Sequence, residues 1–181
     1  AGTTADWYGH HIRLREGMIG DLSGRLASML AAMPYATAAK FAHPERSVVC
    51  TIGDGAFQML GMNELITVKK YMARWDNPQL IVVVLHNDDL TQVSWEMRTE
   101  DGNPMWPDSQ DVESVDYAGW ARLLGFQGIA VTSDDDVAEA LRLAGWEASD
   151  LDFIEINEAF GAVAVKSLRD LDYPLDKCNI H

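Results

Sequence analysis

The chain has 181 residues, room for one α/β domain with a real core but not for a second complete one. Hydrophobic residues make up 48% and charged residues 23%, an ordinary globular balance, and the formal net charge is −14. That acidity excludes a nucleic-acid groove and disfavours an anionic membrane surface, since both need clustered Lys and Arg; its plain role is solubility.

In chain order, residues 1–8 have neither the basic start nor the apolar core of a signal peptide. Residues 47–52, SVVCTI, predict a strand with Cys50 buried in it. Residues 57–71 predict a helix, with Met59, Met62, Leu65 and Ile66 at helical spacing. Residues 80–85, LIVVVL, predict a fully buried strand. Residues 90–111 read as long and irregular, with Pro104 and Pro107 inside. A helix over 117–124 is closed by Gly125, and 128–131 predict a short strand. Asp134, Asp135 and Asp136 open another helix, as a solvated start where the dipole favours carboxylates. Residues 151–156 predict a strand and 158–170 a helix. No apolar run approaches the about 18 residues of a membrane span. The two cysteines, Cys50 and Cys178, have no metal-binding spacing, which fits a reducing cytoplasm.

Continuous apolar strands alternating with helices predict an α/β fold, a parallel sheet with helices on both faces. Such sheets bind ligands where their strands end at the carboxyl side. The loops after Ile52 and Leu85 are therefore the places to search. The first carries Gly53-Asp54-Gly55-Ala56 and then a helix. Glycine admits close backbone approach, and the amides of a helix start suit a phosphate. Asp54 adds a hard carboxylate oxygen, so the combination suits Mg²⁺ bridging a carboxylate to a diphosphate. The second loop carries His86-Asn87-Asp88-Asp89. If the strands are neighbours, Asn87 lies beside Asp54, and its side-chain oxygen and a nearby backbone carbonyl are further ligands. Gly-Asp-Gly alone is a common turn; the order strand, Gly-Asp-Gly, helix, strand, Asn-Asp is far more specific.

The segments 53–59 and 84–90 resemble the thiamine-diphosphate signature of the pyruvate oxidase and acetolactate synthase group. Residues 27–34 and 39–46 resemble that group's cofactor-facing loop and helix, and 92–98 and 116–125 continue the likeness. It spans residues 2 to about 144, a thiamine-diphosphate/Mg-binding domain taken as 1–144. The resemblance implies that Asp54 and Asn87 bind Mg²⁺ by side chain and Asp89 by its carbonyl. Gly53 belongs to the same loop, and Gly55 and Ala56 would offer amides to the diphosphate, with Gly2 and Thr3 assisting. Met29 would hold the cofactor bent, and the carbonyl of Ala27 would accept a bond from its aminopyrimidine. The implied substrates are 2-oxo acids such as pyruvate, by decarboxylation, oxidation or carboligation. In this group an activating glutamate lies in a separate N-terminal pyrimidine-binding domain. The sequence starts at Ala1 without one, so the expectation is a homo-oligomer or a partner that supplies it, and a chain that alone binds cofactor but turns over poorly.

Blander readings stand beside these. On spacing alone Met29 is core filler, like Met33, Met59 and Met62. His86 reads as a strand-end residue, His10 and His11 as surface histidines, and Trp95, Trp106 and Trp120 as core or lid packing.

Residues 145–181 leave the first likeness. The stretch 145–160, with Asn157-Glu158-Ala159-Phe160, then 164–171 and 177–181, resembles a thiolase segment. The catalytic histidine stretch and nucleophilic cysteine loop of thiolases are missing, so this reads as a fusion scar. The tail is expected to pack onto the same domain, with 151–156 as its last strand. Two alternatives follow: a non-catalytic binding or assembly module, and a thiolase-type acyltransferase fragment.

Overall fold

The computed structural model describes residues 2–106 and 108–145. The chain divides into two compact units, Ala1–Leu124 and Gly125–His181. In the first, the elements are α1 (Thr3–His11), α2 (Ala32–Ala42), β1 (Val48–Gly53), α3 (Asp54–Ala56), a π-helical turn (Phe57–Gly61), α4 (Met62–Tyr71), β2 (Leu80–Leu85), α5 (Thr91–Glu100) and α6 (Tyr117–Leu123). β1 and β2 are parallel, in register from Val48 opposite Leu80 to Gly53 opposite Leu85. The two predicted strands are thus neighbours, joined by a helical crossover as parallel strands require. Their carboxyl ends finish side by side, which brings the Asp54 and Asn87 loops together.

The core forms where α1 and α2 meet β1 and the crossover helix. Met33 and Ala36 of α2, Cys50 and Ile52 of β1, and Phe57, Leu65 and Val68 of the crossover are all buried. On apolar transfer alone, a side chain such as Phe57 contributes about 2–3 kcal/mol.

Residues 80–85 form the expected strand, but it is not fully buried: none of its residues is buried, and Val83 and Leu85 are 40% and 37% exposed, with β1 as the one strand beside it among the described residues. Three further expectations need correction. The crossover helix starts at Asp54 rather than 57, and its inward face is only partly the one predicted: Leu65 is buried as expected. Met59 and Ile66 are 59% and 51% exposed, while Phe57, Gly61, Leu65 and Val68 are buried. The π turn is the physical reason: its wider winding moves the residues after Phe57 round the axis. Second, the stretch read as irregular from Leu90 begins with α5. Nothing between Thr91 and Glu100 breaks a helix; Gly102, at φ +66, and Pro104 come only after it. Third, residues 128–131 form no strand among the described residues, whose single sheet is the β1–β2 pair.

In the second unit, α7 (Asp134–Ala144) starts at the predicted aspartates. Ser133 and Asp136 form a reciprocal capping box, and Gly145 ends the helix at φ +74. Hydrogen bonds from Thr132 and Ser133 hold the Asp136 carboxyl below the usual range. The predicted strand 151–156, the helix 158–170 and most of the thiolase-like stretch lie outside the described residues. No helix of the described residues is long and apolar enough to cross a membrane.

Candidate functional site

The carboxyl ends of β1 and β2 open into a cavity of about 610 Å³, inside the first unit. That volume is ordinary for a small-molecule site, which spans about 300–1,000 Å³. All ten residues singled out from the sequence line it: Gly2 and Thr3, Ala27 and Met29, Gly53 to Ala56, and Asn87 and Asp89.

Asp54 is the anchor. It is 3% exposed, and both carboxylate oxygens are occupied. Oδ1 accepts from the Gly55 amide at 2.8 Å; Oδ2 accepts from the Asn87 and Asp88 amides at 2.9 and 2.6 Å. A buried carboxylate without such donors would be costly; with them it fastens the helix start to the turn after β2. Asp88 takes a left-handed φ of 56° at that turn, where two successive amides converge on one oxygen.

The turn continues as a small network. Asn87 Nδ2 donates to Thr91 Oγ1 at 2.7 Å, Thr91 Oγ1 donates to Asp89 Oδ2 at 2.8 Å, and the Asp89 amide reaches Asn87 Oδ1 at 3.3 Å. Asp89 Oδ1 is buried and has no hydrogen-bond donor. An antiparallel bridge joins Asp89 to Asp111. Its bonds use the Leu90 amide and the Asp88 carbonyl, and leave the Asp89 carbonyl out of the pair. Asp54, Asn87 and Asp89 thus all line the cavity, and their oxygens are of the hard type that Mg²⁺ takes.

Around that corner the backbone is shaped for close approach. A Cβ on Gly55 would lie 2.7 Å from Leu90 Cδ2 and 3.6 Å from the Met29 methyl, so Met29 reaches over this glycine. A Cβ on Gly53 would lie 3.1 Å from Oγ1 of the buried Thr4, which seats α1 against the end of β1. Two helix starts, at Gly2–Thr3 and at Gly53–Ala56, thus meet in the cavity. The first amides of a helix lack intrahelical acceptors and suit an anion. Ala27 is held at φ +46, which costs a non-glycine residue on the order of 1 kcal/mol, and such strain gathers at binding sites. The lining carboxylates are Asp6, Asp54, Asp89 and Glu96, and the lining has no Lys or Arg. An anionic group therefore enters most readily together with a cation.

A second set of ligating atoms adjoins the first. Oxygens of Asp54 and Asp88 and a ring nitrogen of His86 lie within 4.8 Å of one another. His86 Nε2 is 2.5 Å from Asp88 Oδ1 and 3.3 Å from Ser114 Oγ, and its ring meets Tyr117 edge-on at 4.9 Å. Burial raises the Tyr117 pKa; a bond from Gln58 opposes this, and Asp54 and Asp88 add to it. Sequence reasoning passed over this grouping because it treated His86 as a strand-end residue.

Other lining residues were also missed: Thr4, Trp7, Thr91, Gln92 and Glu96. Reading 90–111 as irregular hid the last three, which α5 presents. Trp95 and Trp106 do not line the cavity and are half exposed, and Trp120 donates Nε1 to the Met62 carbonyl at 3.1 Å. His11 stacks on Trp7 at 5.2 Å, with Nδ1 buried and unpartnered, so it is not a plain surface histidine.

Residues 1–156 match the family described as thiamine pyrophosphate enzyme, C-terminal TPP binding domain. YdaP of Bacillus subtilis (strain 168), whose name describes it as thiamine pyrophosphate-containing, is 32% identical over 143 residues, 79% of this chain and 23% of that protein. The acetolactate synthase large subunit of Haemophilus influenzae is 30% identical, over 75% of this chain and 22% of its own length. The sulfoacetaldehyde acetyltransferase of Rhodobacter capsulatus is 33% identical, over 71% of this chain and 22% of its own. The chain thus spans less than a quarter of these relatives' length. With a family match over most of the chain and a cavity whose helix starts and hard oxygens suit a diphosphate and its metal, the chain belongs to the thiamine pyrophosphate enzymes, as their C-terminal cofactor-binding domain.

Proposed function

We propose that the strand-end cavity holds thiamine diphosphate with Mg²⁺ for chemistry on a 2-oxo acid such as pyruvate. The observation that carries this is buried Asp54, held by the Asn87 and Asp88 amides, in a cavity that Asn87 and Asp89 also line and that two helix starts face. Asp54 and Asn87 ligate the metal by side chain, and Asp89 by its carbonyl. The amides of Gly55 and Ala56 take the diphosphate, with Gly53 letting the chain pass close and Gly2 and Thr3 contributing from α1. Met29, poised over Gly55, supports the bent cofactor, and the Ala27 carbonyl accepts from its aminopyrimidine. When bound, the thiazolium ring supplies an electron sink for the loss of carbon dioxide.

The activating glutamate and the pyrimidine-binding domain come from other sequence, in a cytoplasmic homo-oligomer or from a partner. Nucleic acid is not a ligand, in keeping with the charge of −14. Residues 1–144 are the cofactor domain in this reading, and 145–181 a thiolase-like tail. The family match runs on through residue 156.

Calorimetric titration of the chain with Mg²⁺ and thiamine diphosphate is the test. Saturable, magnesium-dependent heat is expected, weakened more than about a hundredfold in Asp54→Ala, the loss expected when a buried charge is removed from a charged pairing. No heat with both ligands present, or equal heat in the variant, sinks the reading.

A further inference from the structure

The turn after β2 belongs to a closed circuit of bonds. Asp54 Oδ2 accepts from the Asp88 amide at 2.6 Å, and the Asp88 carbonyl accepts from the Val112 amide at 2.9 Å. One residue on, the Glu113 carbonyl accepts from Gln58 Nε2 at 2.5 Å. Gln58 stands in the π-helical turn, in the same helical run as Asp54, and the backbone between them closes the circuit. The second hydrogen of the Gln58 amide goes to Tyr117 Oη at 2.8 Å. A carbonyl only accepts, so the Glu113 bond fixes which end of that amide faces it.

Residues 110–113 thus form a strap fastened on two sides. Toward β2, the Leu90 amide donates to the Gln110 carbonyl at 2.9 Å; this bond and the Val112 bond flank Asp89. Toward β1, the strap is held by the Gln58 amide, and Val112 Cγ2 lies 3.4 Å from where a Cβ on Gly55 would stand. Inside the circuit Asp88 keeps its left-handed φ of 56°, a conformation that a non-glycine residue holds where its surroundings enforce it. Gln58, Val112 and Glu113 do not line the cavity. Gln58 can therefore act on the cavity's contents only through the strap.

We propose that Gln58 is a positioning residue for the metal. Through the Glu113 carbonyl and the strap it sets the backbone of residues 88–90, and with it the Asp89 carbonyl that ligates Mg²⁺. This rests on the reading of the cavity as a site for Mg²⁺ and thiamine diphosphate. Without the Gln58 donor, the strap loses its fastening to the crossover helix, and the turn is free to relax from its left-handed conformation. Supporting bonds of this kind change metal affinity about 10–100-fold.

The whole chain is titrated calorimetrically with Mg²⁺ in excess thiamine diphosphate. Gln58→Met keeps the bulk of the side chain and removes both donors; its Mg²⁺ affinity is expected to fall about tenfold. Tyr117→Phe removes the other partner of the same amide and leaves the strap bond, so its affinity should stay within about twofold. Hydrogen exchange at the Val112 amide is the second measurement. It should be faster in Gln58→Met, and slower in the unaltered chain once Mg²⁺ and thiamine diphosphate are bound, because circuit and metal share one turn. Undiminished Mg²⁺ affinity in folded Gln58→Met, an equal fall in Tyr117→Phe, or Val112 exchange that ignores cofactor uptake overturns the positioning role. The last result needs no variant and decides the matter even where Gln58→Met fails to fold. No uptake by the unaltered chain overturns the cofactor reading and the role together; normal uptake with any of those three results overturns the role alone.

Discussion

The two ends of the β1–β2 pair each bury one charge, and they treat it in mirror fashion. At the carboxyl ends the Asp54 carboxylate is held by the backbone amides of Gly55, Asn87 and Asp88. At the amino ends the fully buried Lys40 sends its ammonium to the backbone carbonyls of Arg46 and Asn77, both at 2.5 Å, and of Pro44 at 3.4 Å. Its Nζ also lies 5.4 Å from the centre of the Trp75 ring. Burial lowers the Lys40 pKa and Glu45 pushes it back. One charge therefore ties together the segments that enter the strands, the other those that leave them. The difference is what lies beyond. Asp54 faces a cavity with an orphaned carboxylate oxygen nearby, while Lys40 is no part of that cavity. A buried charge answered by the chain's own backbone secures a fold; one placed beside unmet acceptors is suited to a ligand.

The sharpest way to break this contrast is Lys40→Met. It keeps most of the volume and strands three carbonyls, so unfolding in urea should show a loss of about 3 kcal/mol. Cofactor affinity of the folded fraction, measured by calorimetry, should stay within about twofold, because the lost bonds lie at the opposite end of the strands. A large fall in affinity with little change in stability would show that the ends are not separate devices.

A smaller effect sharpens the other end. Thr91→Val removes the hydroxyl that accepts from Asn87 and donates to Asp89. The fold should lose about 1 kcal/mol at most, the worth of a typical hydrogen bond. Mg²⁺-dependent thiamine diphosphate affinity should fall about tenfold, since supporting hydrogen bonds aim the ligands of a metal. Unchanged affinity would mean that Asn87 is positioned by its backbone alone.

What was legible in the sequence divides along the same line. The strands at 47–52 and 80–85 announced themselves by continuous apolar runs, and once they are adjacent their parallel register brings Asp54 and Asn87 together. Short-range patterns were thus enough for the anchor. Lys40 gave no signal: its acceptors are backbone carbonyls in two distant loops, and carbonyls carry no residue identity. The same holds for Asp54's amide donors. The face of the crossover helix was misjudged because the π turn, which ordinary helical periodicity does not anticipate, follows from packing around Phe57 and Gly61, where a Cβ on Gly61 would strike the Phe57 ring. α5 was lost to the two prolines downstream, and Gln92 and Glu96 went with it.

Between the two ends lies Cys50, opposite Val82 in the middle of β1, and it offers the smallest test. It is 4% exposed, and burial pushes its thiol up to about 12 from an ordinary value of 9.0. Between those values the unfolded chain has released a proton that the folded chain still holds. Stability must therefore fall as pH rises through this window, and the contribution is intact below pH 9. For this one group the loss between pH 8 and pH 10 is about 1.4 kcal/mol. Cys50→Ala should remove that part of the alkaline slope in paired urea melts, whatever its constant cost from lost packing. A slope identical in the two proteins would mean that the thiol ionises in the folded chain, and hence that water reaches the middle of β1 from one end or the other. The strand core would then no longer separate the Lys40 clamp from the Asp54 cavity, and the independence expected of Lys40→Met would lose its physical basis.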